Sequence, residues 1–290
     1  MEQRAKKITD ISAISMIVFT VISIIAAIIY RAVVPIEEFR GIFDYLFTTI
    51  EYIIKILLAY FIFIILCNRK KIKPVEFKMK TNTIQTIAIV VWATSAIILL
   101  GGAYAIFLTG PIDIIPVSKG MNVLEHVIII IIYVISPALL DEIMFRGLFA
   151  REYSIFGMAS MFMFSSLVYG LSKFSLAEFP YLFICGLFFC FVYYFTGSLT
   201  SVIITHLVHS TVSYCLKLVQ VTMLPEEYKI LSGIIYIVLG VLFIGSIILL
   251  MTQMKNYKKE EKETVLSYRF FTPFMIVFLV VATAFTILWG

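Results

Sequence analysis

The sequence predicts an all-α polytopic membrane protein that crosses the bilayer about nine times. Hydrophobic residues make up 61% of its 290 residues and charged residues only 14%, whereas a soluble domain is about 45–50% apolar and about 25% charged. The apolar runs are long and continuous, and they lack the alternation of strands in a membrane β-barrel. The 26 Phe and 16 Tyr suit an exterior in contact with lipid and with the membrane interface.

Nine segments approach the roughly 20 apolar residues that a helix needs to cross the hydrocarbon core. The first lacks the small-residue cleavage site of a signal peptide and is taken as a true span. We divide the chain into residues 1–125 with three spans, residues 126–218 as a central core, and residues 219–290 with the last two spans. In chain order the nine predicted spans are 11–30, 45–67, 83–108, 126–140, 155–171, 181–195, 198–218, 230–251 and 270–289.

The basic residues predict the orientation of the chain. They cluster at the N-terminus, in residues 68–80 and in residues 252–269, whereas loops such as 109–124 are poor in Lys and Arg. With nine spans the three clusters share one side, which the positive-inside rule makes cytoplasmic. We therefore expect an N-terminus inside and a C-terminus outside, in a bacterial plasma membrane. The net charge of +5 then reflects topology and contact with anionic lipid, and no nucleic-acid partner is expected.

Ionisable side chains within spans are costly and draw attention to function. Glu51 and Lys55 lie four residues apart on one helix face, so they are expected to form an internal ion pair. The four Cys residues are scattered, with no spacing typical of a disulfide framework or a zinc site. We expect them to be packing residues, and we expect no cofactor.

A denser charged cluster ends the fourth predicted span. Asp141 and Glu142 are adjacent, and Arg146 follows Glu142 by four residues, so that Glu142 and Arg146 can pair on one helix face. Two neighbouring carboxylates in a dry site resist joint ionisation, and this raises one pKa toward the range of a general base. The alternative is a helix end at the membrane interface, from which Arg146 reaches water.

Two further regions of the sequence carry polar side chains in or beside the predicted spans. His206 and Ser210 share one face of the seventh span, with His209 beside them. These residues fit a hydrogen-bonded packing cluster or, less readily, a zinc site, since a catalytic zinc needs three protein ligands. Lys173 follows the fifth span, where it either reaches the interface or balances the charge of Asp141 and Glu142.

These polar clusters form three ordered motifs. They are Asp-Glu-x-x-x-Arg-Gly at 141–147, Tyr-x-x-x-Lys at 169–173 and His-x-x-x-Ser at 206–210, with Thr-Gly-Ser-Leu at 196–199 before the last. Over about residues 131–214 the sequence thereby resembles the CPBP family, also called Abi, which comprises type II CAAX prenyl endopeptidases and bacteriocin-processing or immunity proteins. The corresponding family motifs are Glu-Glu-x-x-x-Arg, Phe-x-x-x-His and His-x-x-x-Asn.

The resemblance implies an α-helical intramembrane protease fold with a glutamate-type mechanism. In active members, the two carboxylates of the first motif and the His of the second activate a water, and the third motif stabilises the oxyanion. Here Asp141 replaces the first Glu, Lys173 the motif-two His, and Ser210 the Asn. A protonated lysine cannot accept a proton, and loss of one oxyanion donor alone costs about 10²–10³ in rate.

Three functional hypotheses follow. The first, and the one we favour, is a non-catalytic membrane partner that regulates another membrane or cell-envelope protein. The second is an active endopeptidase that cleaves membrane-associated peptides with Asp141, Glu142 and His206; a variant of it uses Ser210 as nucleophile with Lys173 as base. The third is a transporter or channel, which only the span count and the intramembrane charges favour. In every case we expect six motif residues to line one polar cavity within the membrane: Asp141, Glu142, Arg146, Lys173, His206 and Ser210.

Overall fold

The prediction of an all-α polytopic membrane protein is confirmed. The computed structural model of the protein describes residues 2–33, 40–72, 81–107, 115–253 and 272–289, and every regular element in these ranges is helical. Among them, seven helices are long and apolar enough to cross a membrane. Two shorter apolar helices, Met158–Leu171 and Pro273–Ala284, coincide with the remaining predicted spans. Most of the predicted basic segments, residues 73–80 and 254–269, lie outside the described residues.

The described residues contain eleven α-helices. We number them α1 to α11, and π-helical turns separate α4 from α5 and α5 from α6. Their bounds are α1 Glu2–Val33, α2 Arg40–Arg69, α3 Thr83–Phe107, α4 Val123–Ile129, α5 Ser136–Met144, α6 Arg151–Tyr153, α7 Met158–Leu171, α8 Phe179–Thr196, α9 Leu199–Thr222, α10 Pro225–Gln253 and α11 Pro273–Trp289.

The first π-helical turn, Ile130–Ile135, has its cause in the next residues. Pro137 has no N–H group and its ring crowds the carbonyl four residues before it, so regular α-helical bonding is interrupted there. Ser136 takes up the longer spacing, because its backbone N–H and its Oγ both donate to the carbonyl of Ile131, the latter at 2.7 Å. A second π-helical turn, Phe145–Ala150, follows α5 directly and contains Arg146. Such turns are frequent at functional sites.

The Thr-Gly-Ser-Leu stretch separates α8 from α9. Gly197 has φ +67°, a left-handed conformation that favours glycine, and its N–H donates to the carbonyl of Tyr193 at 2.8 Å. The Ser198 hydroxyl then accepts a hydrogen bond from the N–H of Ser201 at 3.2 Å and so caps α9. This stretch therefore ends one span and begins the next within three residues.

The chain divides into two compact units. In the first unit (Met1–Glu76, Ile143–Phe183 and Glu263–Gly290) α1 packs against α2 and α11. In the second (Phe77–Glu142 and Ile184–Lys262) α3 packs against α9 and α10.

Aromatic side chains fill the interior of each unit. In the first unit the ring of Tyr153 stacks on Phe164 at 3.8 Å between centroids. In the second unit Trp92 contacts Phe188, Phe191 and Phe243 with centroid distances of 5.2, 4.7 and 6.3 Å. Bulky rings give such helices a large contact area.

Candidate functional site

A buried hydrogen bond joins the first and third motifs within the second unit. Glu142 lies near the end of α5 and His206 in the first half of α9, and Glu142 Oε1 is 2.7 Å from His206 Nδ1. The side chain of Glu142 is 0% exposed and that of His206 is 5% exposed. An ionised carboxylate can only accept, so with Glu142 ionised the Nδ1–H of His206 is the donor. Hydrogen bonds to a charged group at this distance are short and strong.

A phenyl ring covers one face of the His206 imidazole. Phe189 of α8 stacks on the imidazole of His206, with centroids 4.6 Å apart and planes 21° apart. It also meets His209 edge to face at 6.4 Å, and the two imidazoles lie 6.3 Å apart. Phe189 is 0% exposed. Sequence reasoning missed this residue, because nothing in the aromatic run of α8 distinguishes it from Phe188.

The remaining motif residues of the second unit are also buried. Asp141 is 1% exposed, His209 9% and Ser210 6%. All three therefore point away from lipid, as expected of polar groups at membrane depth. The structure thus places Asp141, Glu142, His206 and Ser210 in the interior, with the Glu142–His206 pair in direct contact.

Arg146 belongs to the first unit and is 0% exposed. Its guanidinium carbon lies 4.7 Å from the ring centroid of Tyr169 in α7. Phe145 meets the same ring edge to face at 5.4 Å, and the carbonyl of Phe145 accepts a hydrogen bond from Ser165 Oγ at 2.9 Å. These contacts hold the π-helical turn against α7.

Lys173 occupies the position of the motif-two His and follows the end of α7. Its Nζ lies 5.0 Å from the ring centroid of Tyr52 in α2 and 5.9 Å from that of Tyr169. Cations are attracted to the faces of aromatic rings, by about 2 kcal/mol or more when desolvated. Tyr169 is therefore shared by Arg146 and Lys173, and both cations belong to one aromatic cluster.

The predicted Glu51–Lys55 ion pair is confirmed and extends this cluster. Lys55 Nζ lies 2.9 Å from Glu51 Oε1, which also accepts a hydrogen bond from Ser23 Oγ at 3.0 Å. Lys55 lies 4.9 Å from the ring centroid of Phe19 and 5.7 Å from that of Tyr52. The ring of Tyr52 thus lies near the ammonium groups of two lysines. In the sequence, its position next to Glu51 is the one indication of these contacts.

Glu178 adds a carboxylate to the first unit, in the connection between α7 and α8. Burial raises the pKa of the Glu178 carboxyl, and the positive charge of Lys173 partly opposes that effect. The Ser175 hydroxyl accepts a hydrogen bond from the N–H of Glu178 at 3.3 Å. The positive charge of Lys173 therefore acts on an acidic group outside the three motifs.

The described part of the chain contains no group of three or more His, Cys, Asp or Glu that could hold a metal ion. Within the same ranges all four Cys are free thiols. The convergence of all six motif residues around one cavity stays a prediction from the sequence.

Comparison with known proteins finds a family model that matches the segment carrying these motifs. Residues 123–212 match the family model described as type II CAAX prenyl endopeptidase Rce1-like. This segment covers less than half of the chain but includes every motif position from Asp141 to Ser210. No curated protein matches the chain, and no solved structure does.

Proposed function

We propose that the chain, an integral membrane protein whose residues 123–212 match the Rce1-like family of type II CAAX prenyl endopeptidases, is a non-catalytic member of that family. It acts as a membrane partner that regulates another membrane or cell-envelope protein. The observation that carries this proposal is the complete burial of Glu142, whose Oε1 is hydrogen-bonded to His206. A general base must lie within hydrogen-bond reach of the water that it activates, and in this conformation the Glu142 side chain has no surface in contact with bulk solvent.

The second motif supports the same function. A protonated lysine has three donors and no acceptor, so Lys173 does not replace histidine as a proton acceptor. Its ammonium lies over the rings of Tyr52 and Tyr169. This position of the family motif is thus used for packing in the first unit.

The Glu142–His206 pair has a structural role under this proposal. It ties α5 to α9 inside the second unit, where an unpartnered carboxylate would be strongly destabilising. The motif is then retained because the helices depend on it, and the partner is recognised elsewhere on the protein surface.

An active intramembrane endopeptidase is the second candidate, and one observation favours it. A carboxylate that holds imidazole Nδ1 at 2.7 Å is the arrangement by which a protein orients a histidine for proton transfer. In that case Glu142 and His206, with Asp141 beside them, act on membrane-associated peptides.

We also propose a cytoplasmic N-terminus, an external C-terminus and a bacterial plasma membrane as the location. The support is the distribution of Lys and Arg along the chain. If helix α7 did not cross the bilayer, the basic segment 252–269 would face the opposite side from segment 68–80, against the positive-inside rule.

The test compares wild type with Glu142→Gln in a strain that lacks the gene, at equal expression of the full chain. Glutamine keeps the shape and accepts a hydrogen bond from His206, but it is no longer a base. We expect Glu142→Gln to restore the phenotype to at least half of the wild-type level. Mass spectrometry of new peptide termini in the membrane fraction should show no fragment that depends on Glu142.

The matched control is Glu226→Gln, because Glu226 forms an exposed pair with Lys229 near the start of α10. It should behave as wild type in both measurements. If Glu142→Gln folds normally, loses the phenotype, and removes a cleavage product that wild type and Glu226→Gln both generate, the chain is an enzyme and the regulatory proposal is wrong.

A further inference from the structure

We infer that Phe189 is a positioning residue that fixes the plane of the His206 ring and so keeps its Nδ1 against Glu142. This inference deepens the proposed function and rests on it in one respect, namely that the Glu142–His206 pair is the retained structural element of the motif set. Phe189 lies outside all three motifs, on α8.

The geometry leaves the imidazole one arrangement. Its Nδ1 is held by Glu142 at 2.7 Å, and its face lies on Phe189 with the planes only 21° apart. A half-turn of the ring about its Cβ–Cγ bond would keep the stack but remove Nδ1 from the carboxylate. A smaller rotation would keep neither contact. The stack thus fixes the plane of the ring and the carboxylate fixes which edge faces Glu142, so the two contacts together select one ring orientation.

Burial makes this selection effective. Phe189 is 0% exposed and His206 4% exposed, so no solvent layer replaces a lost contact. Stacked aromatic pairs contribute beyond the area that they bury. Phe189 also meets His209 edge to face at 6.4 Å, so one phenyl ring contacts both histidines of α9 and restrains both.

The inference is tested on the full chain in lipid nanodiscs, with ¹⁵N-labelled histidine. The chain has three His, and the nitrogen shifts of each report which ring nitrogen carries the proton. His209→Gln assigns the two signals of α9. His126, whose Nδ1 is 2.9 Å from Tyr214 Oη, serves as an internal reference.

Phe189→Met keeps the approximate volume but has no aromatic face, and Phe189→Tyr restores the ring. We expect the Nδ1-protonated state of His206 to predominate over the other ring state in wild type and in Phe189→Tyr. Phe189→Met should change the ratio of the two ring states roughly two- to tenfold, in line with the contribution of one aromatic pair. Phe191→Leu removes another phenyl ring of α8, one that contacts Trp92 of α3. This substitution should leave His206 unchanged.

The inference is wrong if Phe189→Met keeps the wild-type His126 signals and melting temperature and leaves the His206 nitrogens unchanged. It is also wrong if Phe191→Leu alters His206 as much as Phe189→Met does, since that would show a general effect of packing. The readout is the state of one ring, whereas the proposed function is judged by the phenotype of Glu142→Gln, so failure of either is recognised separately.

Discussion

The ammonium of Lys173 lies over the ring of Tyr52, with Nζ 5.0 Å from the ring centroid. Lys55, three residues after Tyr52 on α2, lies 5.7 Å from the same ring. The position that carries a histidine in the family motif is thus anchored here by a tyrosine outside the matched segment, so Tyr52 and Lys173 should be energetically coupled.

A double-mutant cycle of Tyr52→Leu and Lys173→Met measures this coupling. We expect a coupling energy of about 1–2 kcal/mol in the free energy of unfolding in detergent, because the contact is partly desolvated. The matched cycle uses Tyr60→Leu with Lys173→Met, since Tyr60 lies on the same helix and contacts Phe61. The control pair should be additive within about 0.5 kcal/mol, and equal values for both cycles would refute the coupling.

In the mostly buried Glu51–Lys55 pair, removal of one partner should cost more stability than removal of both. Its side chains are 15% and 11% exposed. Lys55→Met leaves a carboxylate without its cation, and we expect a loss of roughly 3 kcal/mol in the free energy of unfolding. The double substitution Glu51→Gln with Lys55→Met should recover at least half of that loss.

The exposed Glu226–Lys229 pair on α10 provides the control. Lys229→Met should have little effect, because surface pairs contribute little. If the double substitution on α2 lowers the free energy of unfolding as much as Lys55→Met alone, the loss does not come from leaving Glu51 without its cation.

Glu178 predicts a dependence of stability on pH. Its pKa is raised above 4.5 in the folded protein by burial, so the folded state holds a proton that the unfolded state has released. Stability therefore falls as pH rises from 4.5 through the folded pKa, by linkage. Glu178→Gln should raise the melting temperature at pH 7 and have no such benefit at pH 4. A benefit of equal size at both pH values would exclude ionisation as its cause.

Reporter fusions at Val75, Ile115 and Gly290 test the topology. We expect a cytoplasmic signal at Val75 and external signals at Ile115 and Gly290, because the basic segments alternate with segments poor in Lys and Arg. An external signal at Val75 or a cytoplasmic one at Ile115 would overturn the orientation. A cytoplasmic signal at Gly290 would show that one of the two shorter apolar helices does not cross.

The membrane-spanning helices could be predicted because each apolar run is long enough to be recognised from its own residues. The fourth span shows the limit of that method. It was predicted to end at residue 140, yet the helical stretch Val123–Tyr153 continues through Asp141, Glu142 and Arg146. A hydropathy pattern treats these charges as a boundary, whereas in the folded chain they are at most 1% exposed.

Motif spacing indicated Glu142 and His206, but it did not indicate Phe189 or Tyr52. Those contacts depend on which face of α8 and α2 turns toward the motif, and that is decided by packing between distant segments. The π-helical turns were also missed. The i,i+4 spacing of Glu142 and Arg146 predicts pairing on one face of a regular α-helix, whereas a π-helical turn begins at Phe145.

The length of α7 has a consequence for the membrane around the protein. Its 14 residues span about 21 Å, roughly 9 Å less than the hydrocarbon core of an average bilayer. Only Met158 and Met163 of this helix are exposed large hydrophobic side chains, so the shortfall meets lipid over a small part of the helix surface. Acyl chains must compress there. The protein should therefore be most stable in short-chain lipids, and its melting temperature should fall as the acyl chains of the nanodisc are lengthened.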